Sequence, residues 1–216
     1  MKIVIAPDSF KESLTALEVA ESIARGIHQV LPEAQTVCIP MADGGEGTLV
    51  TVLDATASEP RHARVSDALG RPIEAQWGWL LKRTALIEMA SAAGLEHIAV
   101  EDRDPLVADT FGVGELIRAA LDAGARTIVL TAGGSATNDG GTGMLRALGM
   151  RWLDDQGQPL PPGGAALAQL DRADASGLDP RLAQIELIIA TDVNNPLCGP
   201  SGASATFGPQ KGATPE

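Results

Sequence analysis

Apolar residues arrive in short bursts at the start of the chain. Residues 3–6 form a continuous apolar run closed by Pro7, the pattern of a strand covered on both faces. Thr15-Ala16-Leu17-Glu18 has the spacing of a capping box. Ala20, Ile23, Ile27 and Val30 follow as one stripe stopped by Pro32, which predicts a helix. A second strand is predicted over 36–39 and a shorter helix from about 48 to 55. This β-α-β-α opening predicts a parallel sheet of the α/β class.

Beyond residue 60 the period changes. Short strand-like pieces at 63–65, 75–79 and 85–88 are separated by turns such as Leu69-Gly70-Arg71-Pro72. They read as an antiparallel meander, so a domain boundary is placed near residue 60. Regular alternation returns with a helix over 113–123, a strand over 127–131, a helix over 142–148 and a strand over 187–190. The last stretch, 199–216, is rich in Gly, Ser and Pro and predicts no regular element. A chain that stops inside such a loop reads as an unfinished domain.

Composition narrows the function classes. The 216 residues carry 16 Lys+Arg against 28 Asp+Glu, a net charge of −12, which argues against a nucleic-acid or anionic-membrane surface. Three Phe, three Trp and no Tyr leave little to stack bases on. No apolar run reaches the ~20 residues that span a bilayer, and the first run is too short for a secretory signal. Two cysteines build no disulfide framework; Cys38 reads as a buried strand thiol and Cys198 as a turn residue. His28, His62 and His97 stand away from the polar loops and read as surface or filler residues. A reduced, cytoplasmic protein is the expectation.

The candidate chemistry sits where strands end. After the first strand comes Pro7-Asp8-Ser9-Phe10-Lys11, and after the second Met41-Ala42-Asp43-Gly44-Gly45-Glu46-Gly47-Thr48. After the strand over 127–131 comes Gly133-Gly134-Ser135-Ala136-Thr137-Asn138-Asp139-Gly140-Gly141; after the last, Asp192-Val193-Asn194-Asn195-Pro196. Ligands of open parallel sheets bind outside the carboxyl ends of the strands, so four acidic loops there point to one cleft or two facing ones.

The third loop suits a phosphate or carboxylate, because its glycines free backbone N–H groups and a helix begins behind it. It matches neither GxGxxG nor GxxxxGK[ST], which sets aside the dinucleotide fingerprint and the usual P-loop. Lys11 and Lys211 are the lysines set in Gly/Pro/Ser-rich loops, and phosphoryl transfer needs such cations beside carboxylates.

At these loops the sequence resembles the type-1 glycerate kinases, which phosphorylate D-glycerate with ATP. The segments that carry the resemblance are residues 2–13, 42–48, Ile87-Glu88-Met89-Ala90, Asp104-Pro105-Leu106, 133–141, Asp192-Val193-Asn194-Asn195-Pro196-Leu197 and Phe207-Gly208-Pro209-Gln210-Lys211-Gly212-Ala213. The resemblance implies two α/β domains with the site between them: a Rossmann-like parallel unit over 1–60 and a second domain with a mixed sheet over 61–216. It implies ATP, Mg²⁺ and a small-molecule substrate, with no nucleic acid or membrane partner.

In the roles so implied, Asp192, with Asp43 as its rival, orients the attacking hydroxyl, and Lys11 contacts a phosphate or the glycerate carboxylate. Asp8, Ser9, Gly44, Gly45, Glu46, Gly133, Gly134, Ser135, Thr137, Asn138, Asp139 and Lys211 bind substrate or phosphate. Asp139 or Asp192 is the metal candidate. Members of that family continue past the Phe-Gly-Pro-Gln-Lys-Gly segment. The chain is therefore expected to be an N-terminal portion that exposes an apolar sheet edge and lacks activity alone. Competing readings are a nicotinamide-dependent oxidoreductase, disfavoured by the missing GxGxxG, and a non-catalytic partial domain.

Overall fold

The computed structural model describes residues 1–10, 13–45 and 47–214. Lys11 and Glu46, two of the candidate site residues, lie outside the described residues. The opening unit is β1 (Lys2–Ile5), α1 (Ala16–Val30) and β2 (Gln35–Cys38), with β1 and β2 paired in parallel. The capping box closes α1 as its spacing predicts: the Glu18 carboxylate accepts from the Thr15 N–H at 2.8 Å, and the Glu18 N–H donates to Thr15 Oγ1 at 3.3 Å. The Thr15 N–H and the Thr15 hydroxyl, both donating to that carboxylate, hold the Glu18 carboxyl below its ordinary range. Only Ala16, Val19 and Ala20 of the helix are buried, while Ile23 and Val30 of the predicted stripe are exposed. A two-strand sheet covers too little of a 15-residue helix to bury the whole stripe. Cys38 is half-buried rather than buried.

The second unit is a five-strand mixed sheet. Its strands run β3 (Pro60–Ser66), β4 (Pro72–Leu80), β5 (Thr84–Glu88), β6 (Thr127–Thr131) and β9 (Glu186–Ala190), neighbours in that order. The first two pairings are antiparallel, as the meander predicts, and the last two are parallel. Between β6 and β9 the chain makes a small separate hairpin of β7 (Arg151–Leu153) and β8 (Arg172–Asp174), in which Arg151 pairs with Asp174.

Alternation along the central strands divides the sheet into two faces. Ala85, Ile87, Ile128 and Leu130 join the main core with Val113, Leu116, Ile117 and Ala120 of α4 (Phe111–Asp122). The intervening Leu86 and Val129 meet Leu49 and Leu53 of α2 (Thr48–Thr56) on the other face. Helices on both faces cover the parallel pair of β5 and β6. The edge strand β9 differs: Leu187, Ile188 and Ile189 are all exposed, so the expected apolar edge is present.

Three short helices complete the chain: α3 (Ala90–Ala93), α5 (Thr142–Ala147) and α6 (Ala203–Phe207). The last corrects the expectation that 199–216 holds no regular element, as does the 3₁₀ turn Pro209–Lys211 that follows it. A five-residue helix of small residues leaves no apolar period to read. Among the described residues no helix is long and apolar enough to cross a membrane.

Candidate active site

The parallel strands β5, β6 and β9 end in register, with Glu88 beside Thr131 and Thr131 beside Ala190. Their following loops therefore start from one edge. Backbone hydrogen bonds then link all four polar loops in series. The Met41 N–H of the second loop donates to Pro7 O of the first at 2.9 Å. Gly133 N–H of the third donates to Gly44 O of the second at 3.2 Å, and Ala132 N–H donates to Ala190 O, where the fourth begins, also at 3.2 Å.

Glycine makes the closest of these approaches. A Cβ at Gly133 would lie 2.5 Å from the Gly45 Cα, closer than any side chain tolerates. Gly44 sits at φ +92°, against the Ala190 carbonyl. The second loop is shaped further by Asp43, which accepts from the Gly45 N–H at 2.8 Å, and by Thr48 Oγ1, which accepts from the Gly44 N–H at 3.1 Å. Asp8 likewise accepts from the Ser9 N–H at 2.7 Å. Asp8, Asp43 and Asp192 are all exposed. Asp8 and Ser9 line a groove of ≈ 710 Å³ together with Phe10, Leu17, Met41 and Val50.

The Gly-rich loop is built differently from its sequence impression. Asp139 is 1% exposed, and its carboxylate is consumed by the protein: Oδ2 accepts from Thr110 N–H (3.0 Å), Thr110 Oγ1 (2.8 Å) and Gly143 N–H (2.9 Å), while Oδ1 accepts from Gly141 N–H (3.1 Å). It ties the loop to the starts of α4 and α5. With both oxygens engaged inside, it offers no open face to a metal or phosphate. Gly134, by contrast, is exposed, and its φ of +72° makes any side chain there strained as well as obstructive. Asn138 reaches α6, donating from Nδ2 to Ser204 Oγ at 2.9 Å.

Lys211 crosses from the end of the 3₁₀ turn into this loop. Its Nζ donates to Ser135 Oγ at 3.0 Å and to Thr137 O at 2.7 Å, and the residue is 9% exposed. Burial holds its pKa below the ordinary 10.5, and the charge of Asp139 draws it partly back. The loop thus has one buried cation on one side and a buried anion within it. Arg103 secures the turn, donating from Nη1 to Gln210 O at 3.0 Å.

Sequence reasoning gave Glu88 no role, although it ends β5 at the centre of this edge. It is 5% exposed and accepts from the Gly47 N–H through Oε1 and the Leu49 N–H through Oε2, both at 3.0 Å. The available signal was an acidic residue closing the apolar run Ala85-Leu86-Ile87, since a carboxylate buried there must find donors.

Fold and site together define an α/β protein whose polar, glycine-rich loops meet at the carboxyl edge of its parallel strands. The chain belongs to the glycerate kinase family, whose model matches residues 3–216. It is 56% identical over 215 residues to the glycerate kinase of Bacillus subtilis, an alignment that covers 99% of this chain and 56% of that protein. It is 53% identical to the glycerate 2-kinase of Escherichia coli, again over 99% of this chain and 56% of the relative. A crystal structure of a provisionally named glycerate kinase 2 from Salmonella typhimurium LT2 superposes with a TM-score of 0.83 at 53% identity, covering 100% of this chain and 58% of that one. The chain thus spans little more than half the length of the relatives it matches.

Proposed function

We propose that this chain carries glycerate kinase chemistry: transfer of the γ-phosphoryl group of ATP, with Mg²⁺, to a hydroxyl of D-glycerate. The observation that supports it most directly is the backbone hydrogen bonding that joins the loops after β1 and β2 to those after β6 and β9, with the ammonium of Lys211 set into the glycine-rich one. Phosphoryl transfer depends on positioning and on charge held over the transferring group. In the reaction the hydroxyl oxygen bonds to the γ-phosphorus, the bond to the bridging oxygen breaks, and the hydroxyl proton leaves to a carboxylate.

On this reading the exposed backbone at Gly134 faces the phosphates, and Lys11 and Lys211 supply positive charge. Ser135, Thr137 and Asn138 hold the loop's shape. Asp192 orients the hydroxyl and receives its proton, with Asp43 the alternative. Asp8, Ser9, Gly44, Gly45 and Glu46 belong to the acceptor side. Bound Mg²⁺ neutralises phosphate charge. The described residues contain no ready-made cluster of three or more ligating side chains, and an ion carried on the nucleotide and touched by one or two carboxylates fits such a donor set. Asp192 and Asp43 are the exposed candidates. The domain boundary near residue 60 is part of the same proposal, with β1, α1 and β2 as one unit and α2 crossing onto the five-strand sheet.

A coupled assay of the complete gene product with D-glycerate and Mg·ATP tests the reading. Turnover is expected, and Asp192→Asn is expected to lower kcat by roughly 10²-fold or more. Absence of turnover in the unaltered protein contradicts the function; near-normal turnover in Asp192→Asn moves the proton acceptor to Asp43.

A further inference from the structure

Helix α2 begins without any of its own sequence signals. Its N-cap is Gly47 at φ +87°, no side chain of the helix or its N-cap accepts from the free N–H groups, and its first turn holds no acidic residue. A helix start normally leaves such donors to a local Ser, Thr, Asp or Asn. Here the cap comes from the five-strand sheet on which α2 packs. Glu88, at the end of β5, presents one carboxylate oxygen to the Gly47 N–H and the other to the Leu49 N–H.

We propose that Glu88 is the positioning residue of the loop that carries Asp43, Gly44 and Gly45. It fixes the carboxyl end of that loop to the carboxyl end of β5. Gly44 O can then meet Gly133 N–H, and the Gly133 and Gly45 backbones can lie against each other. The carboxylate is buried, and the Leu49 N–H, in the Leu49, Leu53 and Leu86 cluster, would otherwise be stranded away from water. Its geometry is two-pronged. Gln keeps the volume yet turns an N–H₂ toward one of the two donors, and Asp keeps the charge yet falls one methylene short.

The kinetic part of this inference rests on the transfer reaction proposed above; the structural part does not. Hydrogen exchange and steady-state kinetics on the complete gene product, unaltered and Glu88→Gln, separate the two. Amides over 43–49 are expected to exchange about tenfold faster in the variant or more, with those of β6 unchanged. The kcat per folded molecule is expected to fall about tenfold or more while KM for ATP stays within roughly threefold; a loss of folded protein alone lowers total turnover but leaves kcat per folded molecule unchanged. If Glu88→Gln does not fold, Glu88→Asp is expected to show the same pattern. Unchanged exchange over 43–49, or faster exchange with kcat within about twofold of the unaltered protein, overturns the proposal. Should the unaltered protein turn over no glycerate, the transfer reading fails, and the exchange result alone decides the hold of Glu88 on the loop.

Discussion

Lys211 is the residue at which charge, burial and the glycine-rich loop come together. Its depressed pKa fixes the sign of a pH effect. A lysine whose folded pKa lies below 10.5 binds its proton more readily when unfolded. It therefore costs stability where it is charged in both states, and that cost is relieved as pH rises from the folded value toward 10.5. In the pH range just below the ordinary lysine value of 10.5, Lys211→Met is expected to flatten the rise in unfolding free energy relative to the unaltered chain. Urea midpoints at several pH values measure it, and parallel curves for the two proteins contradict the assignment. Gly133 supplies a second residue-scale test. Gly133→Ala drives a Cβ into the Gly45 backbone, so a loss of about 1–3 kcal/mol is expected with a weaker KM for ATP. An unchanged urea midpoint and an unchanged KM would show that the two loops do not depend on this contact.

At the scale of elements, much of the architecture was legible, and the failures share a cause. The strands over 127–131 and 187–190 were readable because apolar runs of four or five residues lie between polar turns; the observed bounds are Thr127–Thr131 and Glu186–Ala190. The meander was readable from its turn residues, although its pieces lengthen in the structure to Pro60–Ser66 and Pro72–Leu80. The hairpin of β7 and β8 and the helix α6 were not readable, because strands of three residues and a helix of five carry less than two full periods. The four loops were recognisable by composition. That Asp139 points inward and that Glu88 caps a distant helix depends on contacts 29 to 41 residues apart, which no local pattern encodes. The exposed face of β9 carries its own prediction. Ile189→Lys, at a side chain 57% exposed, is expected to change stability by no more than about 0.5 kcal/mol while reducing self-association of the 216-residue chain. Size-exclusion chromatography reads the result, and an unchanged elution profile in a self-associating chain would place the contact elsewhere.

Across the whole molecule, polar contacts converge on the loops at the carboxyl ends of the parallel strands. Glu88 reaches from the five-strand sheet to the start of α2, the backbone of the Gly-rich loop reaches Gly44, and Lys211 closes on that loop from the far end of the chain. On the proposed function, a protein of net charge −12 has to place its cations locally, as Lys211 is placed against the Gly-rich loop. The most direct measurement of the central claim is phosphorus NMR of the complete gene product incubated with D-glycerate, ATP and Mg²⁺. The account predicts a phosphoglycerate resonance growing in step with ADP, dependent on glycerate. ATP left intact, or ADP formed at the same rate without glycerate, would contradict it.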